Sequence, residues 1–140
     1  MARARLINGV AMLLVLVGCS SDSSGPGTAS RLGRYRLVRI NGAPLPALVT
    51  EGNSARIDFL GGAVHLNADL TFVDSTDLKI TPRAGGASQF ITDVAQGTYR
   101  ISQDTVFFTS SRPGERYYMT YLSHESLRQD LAGSILIYNR

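Results

Sequence analysis

From Gly33 onward, apolar and polar residues alternate in short runs, the two-residue period of strands with one buried face. Arg34-Tyr35-Arg36-Leu37-Val38-Arg39-Ile40 runs into Asn41-Gly42, a dipeptide suited to a tight hairpin turn. Strict alternation puts Arg34 and Arg36 on one face and Arg39 on the other. Residues 55–60 and 63–67 read as two strands parted by Gly61-Gly62. In the next run Leu70, Phe72, Leu78 and Ile80 share one face, and Thr71, Ser75, Asp77, Lys79 and Thr81 share the other. Residues 82–88 read as a loop, and 90–101 as the longest strand, in which Gly97 suggests a bulge or a barrel kink. Strands follow over 105–109, 116–122 and 134–139, with turns at Ser102-Gln103-Asp104 and Arg112-Pro113-Gly114-Glu115. Residues 127–131 alternate as a strand before Ala132-Gly133; the alternative is a helix capped by Ser123 and Gly133. The strand reading is preferred because short strands surround it, and residues 46–49 are a second candidate for a single helical turn. The expectation is an all-β domain over 33–140, a small antiparallel up-and-down barrel of about eight to nine strands.

The segment before it differs in kind. Arg3 and Arg5 precede an almost wholly apolar run from Leu6 to Val17, and Gly18-Cys19 ends it. A basic start, a short apolar core and a small residue before the cut describe a helical export signal, too short to span a bilayer, which takes about 20 apolar residues. Leu16-Val17-Gly18-Cys19 resembles the lipobox of bacterial lipoproteins. That resemblance implies cleavage of residues 1–18 and lipidation of Cys19, the only cysteine in the chain. The thiol would receive a diacylglyceryl group and the new amine an acyl chain such as palmitate, which anchors the protein in a membrane. Residues 19–32 form the lipidated cysteine and a tether; SSDSSGPGTASR, residues 20–31, is rich in Ser and Gly and has no apolar period. Such a 12-residue stretch has an end-to-end distance of about 20 Å. Ser20 after the cysteine leans toward the outer membrane, with the domain facing the periplasm.

The folded part also resembles a known class. Gly33-Arg34-Tyr35-Arg36-Leu37 followed by Asn41-Gly42-Ala43-Pro44-Leu45-Pro46 is similar to the opening of small lipocalin-like lipoproteins. Leu66-Asn67-Ala68-Asp69-Leu70-Thr71-Phe72, and Gly97-Thr98-Tyr99-Arg100-Ile101 with Asp104-Thr105-Val106, resemble their strand-turn-strand signatures. The resemblance implies a lipocalin-like barrel in which Gly33-x-Tyr35 takes the place of a Gly-x-Trp and Arg140 that of a late Arg packed over it.

Composition narrows the chemistry. The chain of 140 residues carries a net charge of +3, but without Arg3 and Arg5 there are 12 basic against 11 acidic residues, or +1 over 122 residues. So small a charge gives no long-range attraction to nucleic acid, and no nucleic-acid partner is expected. One cysteine allows neither an internal disulfide nor a cysteine zinc cage. There is no Gly-x-Ser-x-Gly elbow, phosphate loop or His-Glu-x-x-His, so neither an enzyme nor a cofactor is expected. His65 reads as a sheet-face residue and His124 as a turn residue. Asp69, Asp74 and Asp77 lack the spacing of a calcium loop and read as turn and edge carboxylates, so no metal is expected. Arg34 and Arg36 read as outward charges that protect the barrel wall rather than as a site for an acidic partner.

Tyr117, Met119 and Tyr121 project to one face with Phe108 on the neighbouring strand, a set able to line a cavity for a small apolar or amphipathic ligand. Eight strands leave an interior that side chains just fill or that holds one small ligand. Two readings therefore stand for a monomeric, lipid-anchored envelope protein: a ligand-binding barrel, or an interaction module with a filled core and partners in the envelope. A packed interior would move attention to loops 41–50 and 82–88.

Overall fold

A computed structural model describes residues 30–140. The leader, Cys19 and the tether up to residue 29 lie outside the described residues. Ten strands follow one another: β1 (Gly33–Ile40), β2 (Ala43–Pro44), β3 (Ala47–Glu51), β4 (Ala55–Leu66), β5 (Thr71–Pro82), β6 (Gln89–Ser102), β7 (Thr105–Ser110), β8 (Arg116–Ser123), β9 (Ser126–Leu131) and β10 (Ser134–Asn139). β4 to β10 form an up-and-down series, and β1 pairs antiparallel with both β10 and β4. Eight strands thus close an antiparallel barrel, as the alternation predicted, and its architecture is compatible with a lipocalin-like barrel. β2 and β3 are the two extra strands.

The closure is split along two strands. The first half of β1, Gly33 to Arg36, pairs with β4, while Arg39 and Ile40 pair with β2. The second half of β4 carries that seam, whereas Arg56 to Phe59 pair with β3. β4, β5 and the start of β6 therefore run on past the closed wall, and β7 joins β6 only from Gly97 onward.

Several local expectations change. Residues 55–66 form one strand of 12 residues rather than two strands parted at Gly61-Gly62. The pair of glycines lets backbones approach instead of turning the chain: a Cβ at Gly62 would stand 2.9 Å from the Ser75 carbonyl oxygen. Residues 46–49 make no helical turn, because Ala47 to Glu51 pair with β4. Segment 127–131 is a strand, and its turn places Ala132 and Gly133 both at positive φ. Asn41-Gly42 does the same, with φ of 51° and 82°. Leu70 belongs to the β4–β5 turn, at φ 65°, rather than to the buried face of β5. A register shift between Leu37 and Arg39 adds one residue to β1, so Arg39 is exposed like Arg34 and Arg36 rather than opposed to them. Gly97 shows no register shift in either of its pairings. What it provides is a close approach, with the end of β7 folded over it.

Inward-pointing residues of every barrel strand meet in one core. Tyr35, Val64, Leu66, Phe72, Val106, Phe108, Met119, Leu127 and Leu136 are essentially inaccessible to water. Phe72 meets Phe108 edge to face at 4.8 Å, and Tyr117 stacks on Phe108 at 4.7 Å. One end of the barrel is sealed. There Tyr35 and Tyr121 meet edge to face at 6.2 Å, and both hydroxyls lie within 3.0 Å of the Arg31 carbonyl oxygen, to which they can donate. The Arg31 guanidinium covers the Tyr121 ring at 4.7 Å, donates to the Gln103 carbonyl oxygen and pairs with Asp104. Arg140 packs beside Gly33 and donates to the Ser30 carbonyl oxygen at 2.6 Å. The described chain therefore enters at the sealed end.

Candidate ligand cavity

The other end is hollow. A cavity of about 290 Å³ opens between the first half of β4, the middle of β5 and β6, the start of β8 and the β9–β10 hairpin. Phe59 comes from β4, Asp74 and Thr76 from β5, and Asp93 and Ala95 from β6. Glu115 and Arg116 stand at the start of β8, followed by Tyr117; Gln129 and Leu131 come from β9, and Leu136 and Tyr138 from β10. Residues paired directly across antiparallel strands share a face, which is why these side chains converge. Asp74 faces Ala95, Thr76 faces Asp93, and Gln129 faces Leu136. The space lies at the lower end of ligand pockets, about 300–1,000 Å³.

Phe59, Ala95, Leu131 and Leu136 give the cavity apolar area; Asp74, Tyr117, Gln129 and Tyr138 are its more buried polar groups, and Asp93 and Arg116 are exposed. The Tyr117 hydroxyl donates to Asp74 Oδ2 at 2.8 Å, and the Tyr138 hydroxyl donates to Gln129 Oε1 at 3.1 Å. Burial pushes the Asp74 carboxyl up to about 6; the Tyr117 hydrogen bond pulls it down, and the charges of Asp93 and Glu115 add to the rise. Burial and the neighbouring Asp74 hold the Tyr117 and Tyr138 phenols above the usual tyrosine range, so both remain donors at neutral pH. At the rim, Arg112 pairs with Asp93 at 2.6 Å and lowers its carboxyl.

The four aromatic and sulfur residues singled out from the sequence are spread along the barrel. Tyr117 lines the cavity, and Phe108 lies directly under its ring. Met119 is fully buried in the packed middle, and Tyr121 belongs to the sealed end. Asp69, Asp74 and Asp77 do not converge: Asp69 caps the β4–β5 turn through Thr71, Asp77 accepts from the Thr92 hydroxyl, and Asp74 points inward. Asp74 is thus an interior carboxylate and not the turn or edge residue expected. Its position is legible: counting in twos from Phe72 reaches Asp74, Thr76 and Leu78, an inward parity that the polar side chains at 74 and 76 conceal. Gln129 was likewise legible between Leu127 and Leu131. His65 is exposed on the outer face of β4, and His124 in the β8–β9 turn lies 3.4 Å from the Ser30 hydroxyl. Among the described residues, no group of three or more His, Cys, Asp or Glu side chains could hold a metal ion.

A scan against protein-family models finds no match to this chain, and no curated protein is significantly similar to it.

Proposed function

We propose that this protein is a bacterial envelope lipoprotein, anchored through lipid on Cys19, whose barrel binds a small amphipathic molecule. The observation that carries the binding reading is the open cavity at one end of the barrel, where Phe59, Ala95, Leu131 and Leu136 lie among polar side chains that include Asp74, Tyr117, Gln129 and Tyr138. The anchor rests on the leader and on Leu16-Val17-Gly18-Cys19.

Intact mass of the protein from its native membranes should show loss of residues 1–18 and a gain of acyl mass; Cys19→Ser should carry no acyl mass. An unacylated wild-type protein in a host with the processing enzymes would end the lipoprotein reading. For the cavity, N-phenyl-1-naphthylamine, a neutral fluorescent probe, should brighten on titration with residues 19–140. Ala95→Leu projects extra methyl groups into the space and should weaken probe binding at least about tenfold, with thermal melting as the check that the domain stays folded. No enhancement by the wild type would remove the reading.

A second reading, docking of an extended segment from an envelope protein, is favoured by the start of β6. Arg112 caps the Val94 carbonyl oxygen and the Ser111 amide caps that of Gln96. Phe90 and Thr92 continue that row of backbone groups with no strand across from them among the described residues, and Phe90 is 70% exposed. The readings separate by mutation: Phe90→Asp should leave probe binding unchanged.

A further inference from the structure

The free edge at the start of β6 has a definite extent. Even-numbered residues there turn their backbone groups toward the β7 side, since the Val94 and Gln96 carbonyl oxygens accept from Arg112 and from the Ser111 amide. Pairing with β7 begins only at Gly97. Before those caps, the N–H and C=O groups of Phe90 and Thr92 face outward with no strand across from them among the described residues. Phe90, Ile91 and Val94 are exposed on the same segment. Such a row is a template for another strand.

We infer that the occupant of this edge is a second copy of the chain, joined through an antiparallel β6–β6 pair about a two-fold axis. One register satisfies all the free groups at once. With Ile91 opposite the partner's Ile91, Phe90 stands opposite the partner's Thr92 and Thr92 opposite the partner's Phe90. Four backbone hydrogen bonds then form and no free group of either residue is left over. A shift of two residues one way sets Phe90 against Val94, whose carbonyl oxygen Arg112 already holds. The opposite shift sets Thr92 against Ser88, which lies outside the strand. Side chains agree with the chosen register. Phe90 is diagonal to the partner's Phe90 and Val94 on the outer face, and the two Ile91 side chains meet on the inner face. Gln89 faces the partner's Asp93, whose charge Arg112 balances through two bonds, so no like charges oppose one another. A foreign strand would also supply backbone groups; the second copy in addition supplies apolar side chains where this edge exposes its own. The interface is smaller than the roughly 1,200 Å² of stable complexes, so the dimer forms reversibly, with a Kd of about 0.1 mM. The inference needs neither the lipid anchor nor a ligand, and it takes the edge of the second reading with a different occupant.

The test uses residues 19–140 with Cys19→Ser. Sedimentation equilibrium from about 10 μM to about 1 mM should show monomer and dimer in exchange. Thr92→Pro removes an outward N–H and keeps the bonds to β5, which the odd-numbered residues make; it should weaken dimerisation at least about tenfold with thermal melting little changed. Phe90→Asp should weaken it similarly and serves if the proline variant fails to fold. Facing Cα atoms in a non-hydrogen-bonded pair lie about 4.5 Å apart, within disulfide reach. Under copper-phenanthroline oxidation Ile91→Cys should therefore give a linked dimer, whereas Leu122→Cys, exposed on β8, should not. A protein that stays monomeric throughout, dimerisation that survives both Thr92→Pro and Phe90→Asp, or Ile91→Cys linking no faster than Leu122→Cys would each overturn the inference. A monomer would leave the edge to a foreign segment, and the cavity reading is decided separately by probe binding.

Discussion

Replacing Gly97 with alanine should cost the domain about 3 kcal/mol or more and leave a large unfolded fraction, because the added methyl has no space to occupy. A Cβ there would stand 2.1 Å from the Thr109 carbonyl oxygen, 3.0 Å from Ser110 Cα and 3.1 Å from the Phe72 ring. Two of those three contacts are backbone, so no rotamer change relieves them. Gly97 is also where β7 begins to pair with β6, opposite Ser110. The end of β7 must therefore move away from β6, and with it the Ser111 amide that bonds the Gln96 carbonyl oxygen at 2.7 Å. Urea denaturation of wild type and variant measures the loss directly. Gly114→Ala is a useful comparison: that glycine has open space around it, so any cost there comes from its φ of 78° alone, about 1 kcal/mol. Equal costs at the two positions would show that β7 does not press on Gly97.

A second large effect is expected at Asp74. Asp74→Asn should stabilise the ligand-free domain at neutral pH by about 3 kcal/mol, the equivalent of moving a carboxyl from its ordinary value to about 6. The sign follows from proton counts. Between about pH 4 and 6 the unfolded chain has released the Asp74 proton while the folded barrel still holds it, so folded stability falls as pH rises through that window. Above it both states are ionised and the full penalty remains. Burial is the main cause; the Tyr117 hydroxyl offsets part of it, and Asp93 and Glu115 facing the same space add repulsion. Asp69 and Asp93 act in the opposite sense, since hydrogen bonds from Thr71 and Arg112 lower their carboxyls, and what they contribute is lost only in more acid solution. Denaturation curves at pH 4.5 and 7.5 for both proteins isolate the Asp74 contribution. Parallel pH dependence in wild type and variant would show that Asp74 is solvated rather than buried.

Much of the barrel was legible in the residues because strand pairing writes itself in period two. The runs around Tyr35-Arg36-Leu37, Phe107-Phe108 and Ile135-Leu136-Ile137, parted by Asn41-Gly42 and Ala132-Gly133, specify hairpins through local stereochemistry alone. Antiparallel neighbours in chain order then leave few topologies. Register irregularities were not legible. Arg39 changes face because an extra residue enters β1 opposite β10, and Gly61-Gly62 lies inside a strand because Leu37 and the Ser75 backbone crowd that point. Both depend on residues far along the chain. The aromatic set was read as one surface, yet Tyr117 lines the cavity while Tyr121 seals the opposite end, since strands tilt across a barrel and successive inward residues fall in different layers. The parity of Asp74 was present in the sequence from the start. That it shares one space with Asp93, Glu115 and Tyr117 was decided only by tertiary structure, because only closure of the eight strands brings those residues together.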